Sequence, residues 1–329
     1  MKKRIGLVGY FGWGNFGDEL FLKAHQEQLG DQYELEVVHD LLEAPYFSRP
    51  VGEVAEKYDA FIIGGGDLIN PRVVSKLYWL EEYLTRPTFV FGIGVPSAAK
   101  AKPEALAHYK RFFAHDNVRL TIARDPESEA WIRANIAPKA PLEWYPDTVC
   151  AMARPKALSP REKNLGIVMR GHRSLDPDLS HVRALADRAR ELGYKVRHLV
   201  LANLSLGQAD LEIAKSIAHD DEEIFTSSSL DEMCQEISGC SMLASIKFHG
   251  LIVATMYGVP SIAMSVTPKN KNFLKMIDRR DLLCGYTNED LPKFRPWQPA
   301  PLPPWVRSKL RRDALRGYAR LREELQKAL

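Results

Sequence analysis

Cysteine is scarce in this sequence and scattered where it occurs. The four residues, Cys150, Cys234, Cys240 and Cys284, form no CxxC pair, and none stands beside a histidine at zinc-ligand spacing. No structural zinc and no disulfide framework are expected, and a reducing compartment fits. Long apolar runs are missing as well: no stretch reaches the ~18–20 residues of a membrane-spanning helix. The opening Met-Lys-Lys-Arg runs straight into a strand-like segment, without the apolar stretch and cleavage site of a secretory leader. A cytoplasmic protein is the expectation, with contact at the inner face of the membrane left open. Strong charge of one sign is also absent. Lys and Arg number 45 against 42 Asp and Glu, a net charge of +3, so no nucleic-acid partner is expected. There is no internal repeat. Neither nucleotide fingerprint, GxGxxG followed by a ribose-binding acid or GxxxxGK[ST], is complete.

Against these absences stands an ordinary globular composition, 45% hydrophobic and 26% charged over 329 residues, long enough for two domains. Short apolar runs alternate with amphipathic segments throughout. In the first half Arg4–Tyr10, Glu34–His39, Ala60–Ile63, Thr88–Phe91 and Val118–Ala123 read as strands. Leu20–Leu29, Val73–Leu84, Pro103–Phe113 and Glu127–Asn135 read as helices. Pro155–Lys163, polar and proline-containing, reads as a linker. Strands at Leu165–Met169, Val196–Leu201, Met242–Ile246 and Ser261–Met264 then alternate with helices at Leu179–Leu192, Leu211–Ala218, Leu230–Ile237 and Leu251–Tyr257. Pro292–Pro304 is proline-rich. Trp305–Leu329 is a charged amphipathic helix with Val306, Leu310, Ala314, Leu321 and Leu325 as its apolar stripe. Such alternation implies parallel sheets flanked by helices. The expected architecture is α/β: two Rossmann-like domains at 1–155 and 164–295 with a cleft between them, and a terminal segment 296–329 packed on both.

Chemistry gathers where these strands end, since open α/β sheets bind ligands outside the carboxyl ends of their strands. Lys247-Phe248-His249-Gly250 follows the Met242–Ile246 strand and opens a helix, setting a cation and an imidazole two residues apart. Lys269 and Lys271 follow the next strand, and Arg170 ends Leu165–Met169. A plainer reading makes His249 a helix cap and the lysines solvated. Arg124 closes the Val118–Ala123 strand, where its planar fork suits a carboxylate or phosphate. It can equally pair internally with Asp125 or a neighbouring acid. Gly64-Gly65-Gly66-Asp67 and Gly92-Ile93-Gly94 permit close backbone approach. Gly9 to Glu19 forms a glycine-rich turn into a helix. Asp18 and Glu19 there oppose a phosphate but suit hydroxyl groups, as acceptors or a base. Asp18 as a helix N-cap is the competing reading, which leaves Asn15 and Glu19 for the ligand. The arginines of the terminal helix read as a solvated face before an anionic-membrane contact.

The run Gly9-Tyr10-Phe11-Gly12-Trp13-Gly14-Asn15-Phe16-Gly17-Asp18-Glu19 resembles the opening motif of the polysaccharide pyruvyl transferases. The resemblance continues through Gly64–Asp67, Gly92–Pro96, Arg124-Asp125, Lys247–Ile252 and Gly258 to Lys269. It implies a two-domain fold like that of GT-B glycosyltransferases, with the acceptor on the N-terminal domain and the donor on the C-terminal one. It also implies transfer of the enolpyruvyl unit of phosphoenolpyruvate onto two hydroxyls of a sugar. The family's histidine, strand-end arginine, late lysine and early aspartate fall on His249, Arg124, Lys269 and Asp18. The chain departs from the family where Lys247 stands for an arginine and Val266-Thr267-Pro268 for a tyrosine-aspartate pair.

On this reading His249 is the acid that protonates the donor's methylene carbon, and Asp18 the base for the attacking hydroxyl. Arg124, Lys247, Lys269, Lys271 and Arg170 hold the donor's phosphate and carboxylate. Asn15, Glu19 and Asp67 meet the acceptor, a sugar or glycan that is free or lipid-linked. No cofactor or metal is expected beyond phosphoenolpyruvate as co-substrate. A GT-B glycosyltransferase using a nucleotide sugar, and a non-catalytic sugar- or phosphate-binding relative, are the alternatives.

Overall fold

The computed structural model describes residues 2–96, 101–159, 162–171, 176, 178–293 and 302–329. The chain divides into two compact units. One comprises Met1–Gly12, Phe21–Met152 and Leu310–Leu329, the other Trp13–Leu20 and Ala153–Lys309.

The first unit is built on β1 (Lys3–Val8), β2 (Tyr33–Val37), β3 (Ala60–Gly66), β4 (Thr88–Ile93), β5 (Val118–Ala123) and β6 (Leu142–Trp144). They form one parallel sheet in the order β2-β1-β3-β4-β5-β6. β3 and β4 are buried along their whole length, as near-continuous apolar runs in a sheet covered on both faces should be. Helices α1 (Phe16–Leu29), α2 (Val51–Ala55), α3 (Pro103–Ala114) and α4 (Pro126–Asn135) connect the strands. The core here is aromatic: Phe61, Trp79, Tyr83, Phe89, Phe91, Tyr109 and Phe113 are all buried.

The second unit carries β7 (Asn164–Val168), α5 (Ser180–Glu191), β8 (Lys195–Leu199), α6 (Leu204–Ile217), β9 (Glu223–Phe225), α7 (Leu230–Ser238), β10 (Met242–Ser245), α8 (Phe248–Tyr257), β11 (Ser261–Ala263) and α9 (Pro268–Met276). Its parallel sheet runs β11-β10-β7-β8-β9. Its core is aliphatic, centred on Leu165, Ile167, Val182, Leu185, Ala244 and Ile262. All four cysteines are buried thiols, none of them in a disulfide. The last helix, α10 (Pro304–Ala328), buries the stripe Val306, Leu310, Ala314, Leu321 and Leu325 together with Tyr318. Among the described residues no helix is long and apolar enough to cross a membrane.

Several expectations are corrected. Val73–Leu84 is not a helix; turns lead into a short 3₁₀ segment, Glu81–Thr85. Its aromatics fill the core from irregular backbone, Trp79 Nε1 donating to Leu68 O at 3.0 Å and Tyr83 OH to Leu77 O at 2.9 Å. Tertiary packing overrides helical spacing there. Strand β9 and helices α2 and α9 were not foreseen, and α6 begins at Leu204 rather than Leu211. Residues 13–20, expected with the N-terminal domain, belong to the second unit. Asn15 makes an antiparallel bridge with Ala202, and the Asn203 N–H donates to Gly14 O at 2.7 Å. The proline-rich stretch lies largely outside the described residues, at 294–301, as do His172 and Arg173.

Candidate active site

In the second unit the chain lays down β7, β8 and β9 in one direction, then adds β10 and β11 on the other side of β7. Strand order therefore reverses between β7 and β10, and ligands favour the carboxyl ends of such a pair. Arg170, exposed, lies two residues beyond β7. Lys247 precedes α8, and His249 sits in its first turn. The turn between strand and helix is pinned by Ser245: its hydroxyl accepts from the Lys247 N–H at 3.1 Å and donates to Lys247 O at 2.8 Å. Gly250 permits this, since a Cβ there would meet Ser245 Oγ at 2.5 Å.

The Lys247 ammonium is not a free cation. It donates to Leu201 O at 2.7 Å beyond β8 and forms an ion pair with Asp210 on α6. Burial pulls its pKa down; the Asp210 charge opposes this, the Arg170 charge adds to it, and the Asp18 charge opposes it again. The His249 ring lies 5.1 Å from Phe248, edge on, and Lys269 Nζ stands 5.7 Å from the centroid of the same Phe248 ring. Phe248 and Lys269 thus tie the first turn of α8 to that of α9. Two helix N-termini with their exposed N–H groups favour an anion.

The opening motif completes this set. A Cβ on Gly17 would overlap His249 Nδ1, so only glycine lets the first turn of α1 lie against the imidazole. Asp18 is the next residue, near enough for its charge to act on Lys247. The capping role weighed for Asp18 falls to Asn15, which precedes α1 and accepts from the Gly17 N–H at 3.4 Å. Glu19 folds back to accept from the Gly14 N–H at 3.2 Å. Asn15 and Glu19 therefore shape the loop. Lys271 does not join the set. It is exposed and stands two residues after Lys269 on the same helix, about 200° around its axis.

The first unit has its own reversal, between β1 and β3. Gly9 after β1 sits against β3; a Cβ on it would come 2.9 Å from Gly64 O. Gly65 and Gly66 have φ of 79° and 102°, a conformation open to glycine, and Asp67 follows them. Arg124, after β5, is 3% exposed and ion-paired with Asp67. Its guanidinium also lies 3.9 Å from Asp125 and 4.0 Å from Asp147. Gly94 leaves room for the pair, since a Cβ on it would crowd both Arg124 and Asp67 at 2.5–2.6 Å. Burial pushes the Asp125 carboxyl up in pKa and the Arg124 charge draws it back, while Asp125 caps α4 by accepting from the Ser128 N–H at 2.7 Å. Of the two readings of Arg124, internal pairing describes this arrangement. A clamp open to a dianion is not what a buried guanidinium among three carboxylates offers.

Residues that motif reading missed are Asp210 and the close fit of Gly17. Among the described residues no group of three or more His, Cys, Asp or Glu is arranged to hold a metal ion. A pocket beside α3, lined by Leu84, His108, Arg111 and Phe112, contains none of the candidate residues.

A family model for polysaccharide pyruvyl transferases matches residues 15–268, most of the chain. The chain belongs to that family. The matched span runs from Asn15 to the residue before Lys269, and so takes in the first turn of α1, the Arg124 cluster and His249. Among curated proteins no match is found. Solved structures add the fold of this pyruvyl transferase family member. UDP-N-acetylglucosamine 2-epimerase from Rickettsia bellii is similar with a TM-score of 0.59 at 10% identity, over 99% of this chain and 96% of that one. The S. aureus MnaA-UDP complex reaches 0.62 at 10% identity, over 99% and 96%. Spinosyn forosaminyltransferase SpnP reaches 0.50 at 12% identity, over 100% and 95%. These likenesses show the fold alone, two parallel-sheet α/β units of the GT-B kind.

Proposed function

We propose that the chain transfers the enolpyruvyl unit of phosphoenolpyruvate onto two hydroxyls of a sugar, forming a ketal and releasing phosphate. The observation that carries this is the set at the β7–β10 reversal: His249 in a helix first turn two residues after Lys247, Phe248 in contact with both the His249 ring and Lys269, Gly17 against the imidazole, and Arg170 and Asp18 near enough for their charges to act on Lys247. Family membership supports the reaction class.

The chemistry runs as acid–base catalysis on an enol ester of phosphoric acid. His249, protonated, gives its proton to the methylene carbon, and C2 becomes electrophilic. Asp18 accepts the proton of the first sugar hydroxyl as its oxygen bonds to C2. The C2–O bond to phosphate then breaks, the second hydroxyl adds at C2, and its proton leaves on the released phosphate. No net oxidation occurs, so the reaction calls for no redox cofactor. Lys269, Arg170 and the N–H groups of α8 and α9 hold the phosphate and carboxylate. Lys247, already committed to Asp210, supplies field rather than a free contact. Asp67 stays the acceptor-side candidate of the first unit, with Arg124 holding it.

The test is phosphate release from phosphoenolpyruvate in the presence of sugar acceptors, followed by mass spectrometry for a product heavier by about 70 Da, the mass added by one pyruvate ketal. Release with the increment supports the proposal. Thermal stabilisation by nucleotide sugars, with neither release nor increment, transfers the site to a glycosyltransferase. Saturable binding of phosphoenolpyruvate without product on a broad acceptor panel makes the chain a binding relative. Whether the acceptor is lipid-linked, and whether the chain meets a membrane surface, are read from the same assay run with vesicle-bound and free acceptors.

A further inference from the structure

We infer that Asp210, which lies in none of the motifs, is the positioning residue that holds the β7 loop and the first turn of α8 in one arrangement. The inference rests on the reading of His249 and Arg170 given above. Asp210 is 3% exposed in the middle of α6. One carboxylate oxygen accepts from the Gly171 N–H at 2.8 Å, next to Arg170. The other pairs with Lys247, two residues before His249.

A buried carboxylate is costly unless it is paired and hydrogen-bonded, and Asp210 has both partners on elements that carry site residues. The backbone is shaped to bring it there. Gly171 runs flush against α6, where a Cβ would overlap Ala209 O, and Gly207 sits against the end of β8, where a Cβ would come 2.7 Å from Ala202 O. Ala202 in turn bridges Asn15, at the mouth of the loop that leads to Gly17 and Asp18. Lys247 donates to Leu201 O beside it. One carboxylate thus sits where the β7, β8 and β10 ends and the opening motif meet. Losing its charge frees the Lys247 ammonium to swing and loosens Gly171, so that Arg170 and His249 no longer present together.

Asp210→Asn in the full chain tests this, because the amide keeps the size and an acceptor for Gly171 but drops the ion pair. Hydrogen exchange needs no substrate. Faster exchange at Gly171 and at Lys247–Gly250, with the C-terminal half of α6 unchanged, is the expected result. With phosphoenolpyruvate as donor, kcat should fall on the order of 100-fold, the scale of a misplaced catalytic group, while KM rises less. Asp210→Glu, with the charge restored, should recover part of kcat. It serves as the deciding variant should Asp210→Asn not fold. A lowered melting temperature with wild-type exchange at both segments and wild-type kcat/KM would make Asp210 a stability residue only and overturn the inference. If the wild-type chain turns over no phosphoenolpyruvate, the transfer reading fails on its own, and the exchange result alone decides the role of Asp210.

Discussion

In the first unit one guanidinium is surrounded by three carboxylates; in the second, Lys247 is paired with Asp210 and feels the charges of Arg170 and Asp18, while Lys269 and His249 share Phe248 next to it. Both clusters sit beside a reversal of strand order, and both depend on glycines that admit a side chain at close range. Their electrostatics point opposite ways. Under the proposed function the Arg124 cluster, a buried cation already matched by carboxylates, suits hydroxyl groups, whereas the His249 cluster, with Arg170 and Lys269 beside the Lys247–Asp210 pair, suits an anion. On that proposal the same kind of sheet end takes the acceptor in one unit and the donor in the other, and the sign of the charge around the glycines separates them.

The sharpest way to break this comparison is His249→Ala. Removing a general acid costs about 10²–10⁴-fold in rate, and the loss should appear in kcat of phosphate release with the fold intact by circular dichroism. Asp67→Asn, in the other cluster, should slow transfer to the acceptor without weakening binding of phosphoenolpyruvate by calorimetry. Equal loss of donor affinity in both variants would erase the division of labour.

Arg124→Met probes the first cluster through stability. It leaves buried carboxylates uncompensated, which costs about 3–5 kcal/mol, measurable by urea unfolding at pH 7. The deficit should depend on pH. Arg124 lowers the pKa of Asp125, which burial otherwise raises. Without Arg124 that pKa climbs further, so the folded variant binds protons that the unfolded chain has lost. Its stability must then rise as pH falls, and the gap to wild type should narrow between pH 7 and 5. A constant gap would mean that the guanidinium is not what holds the Asp125 pKa down against burial.

The strand ends were legible in the sequence because glycine runs and apolar runs meet there, and local pattern suffices to place a residue after a strand. The environment of Arg124 was only half legible. Asp125 is its neighbour, but Asp67 lies 57 residues earlier, and no local pattern reveals such a pairing. Asp210 was hidden for a related reason. The spacing suggested a helix from Leu211, so the buried face formed by Gly207, Asp210, Ala214 and Ile217 was cut short at its acid. Val73–Leu84 misled in the opposite sense: it reads as a helix, yet Trp79 reaches the core from irregular backbone and Tyr83 from the short 3₁₀ segment.

A buried histidine of the first unit predicts an acid limit. His25, on α1 in the first unit, is 1% exposed, bonds to Tyr318 OH at 2.9 Å, and burial lowers its pKa to about 4. The unfolded chain takes up this proton below about pH 6.5, the folded one only near 4. Between these values the unfolded state binds more protons, so stability is lost as pH falls from 6.5 to 4, by about 3 kcal/mol across the window. His25→Gln keeps a partner for Tyr318 and should flatten this slope in unfolding measured from pH 7 to 4. An unchanged slope would place the acid sensitivity elsewhere.

The smallest effect separates two lysines on one helix. Lys269 shares Phe248 with His249, whereas Lys271 is exposed and turned about 200° away from Lys269. A charge-assisted contact to phosphate or carboxylate contributes roughly 1.5–3 kcal/mol, so Lys269→Ala should raise the KM for phosphoenolpyruvate about tenfold or more. Lys271→Ala should leave it within about twofold, as an exposed charge screened by salt does. The pair is informative because both substitutions remove the same charge from the same turn of α9, and only direction differs. Equal effects would mean that the donor feels the net charge of the helix end rather than a placed ammonium, and the second cluster would then be a field and not a binding site.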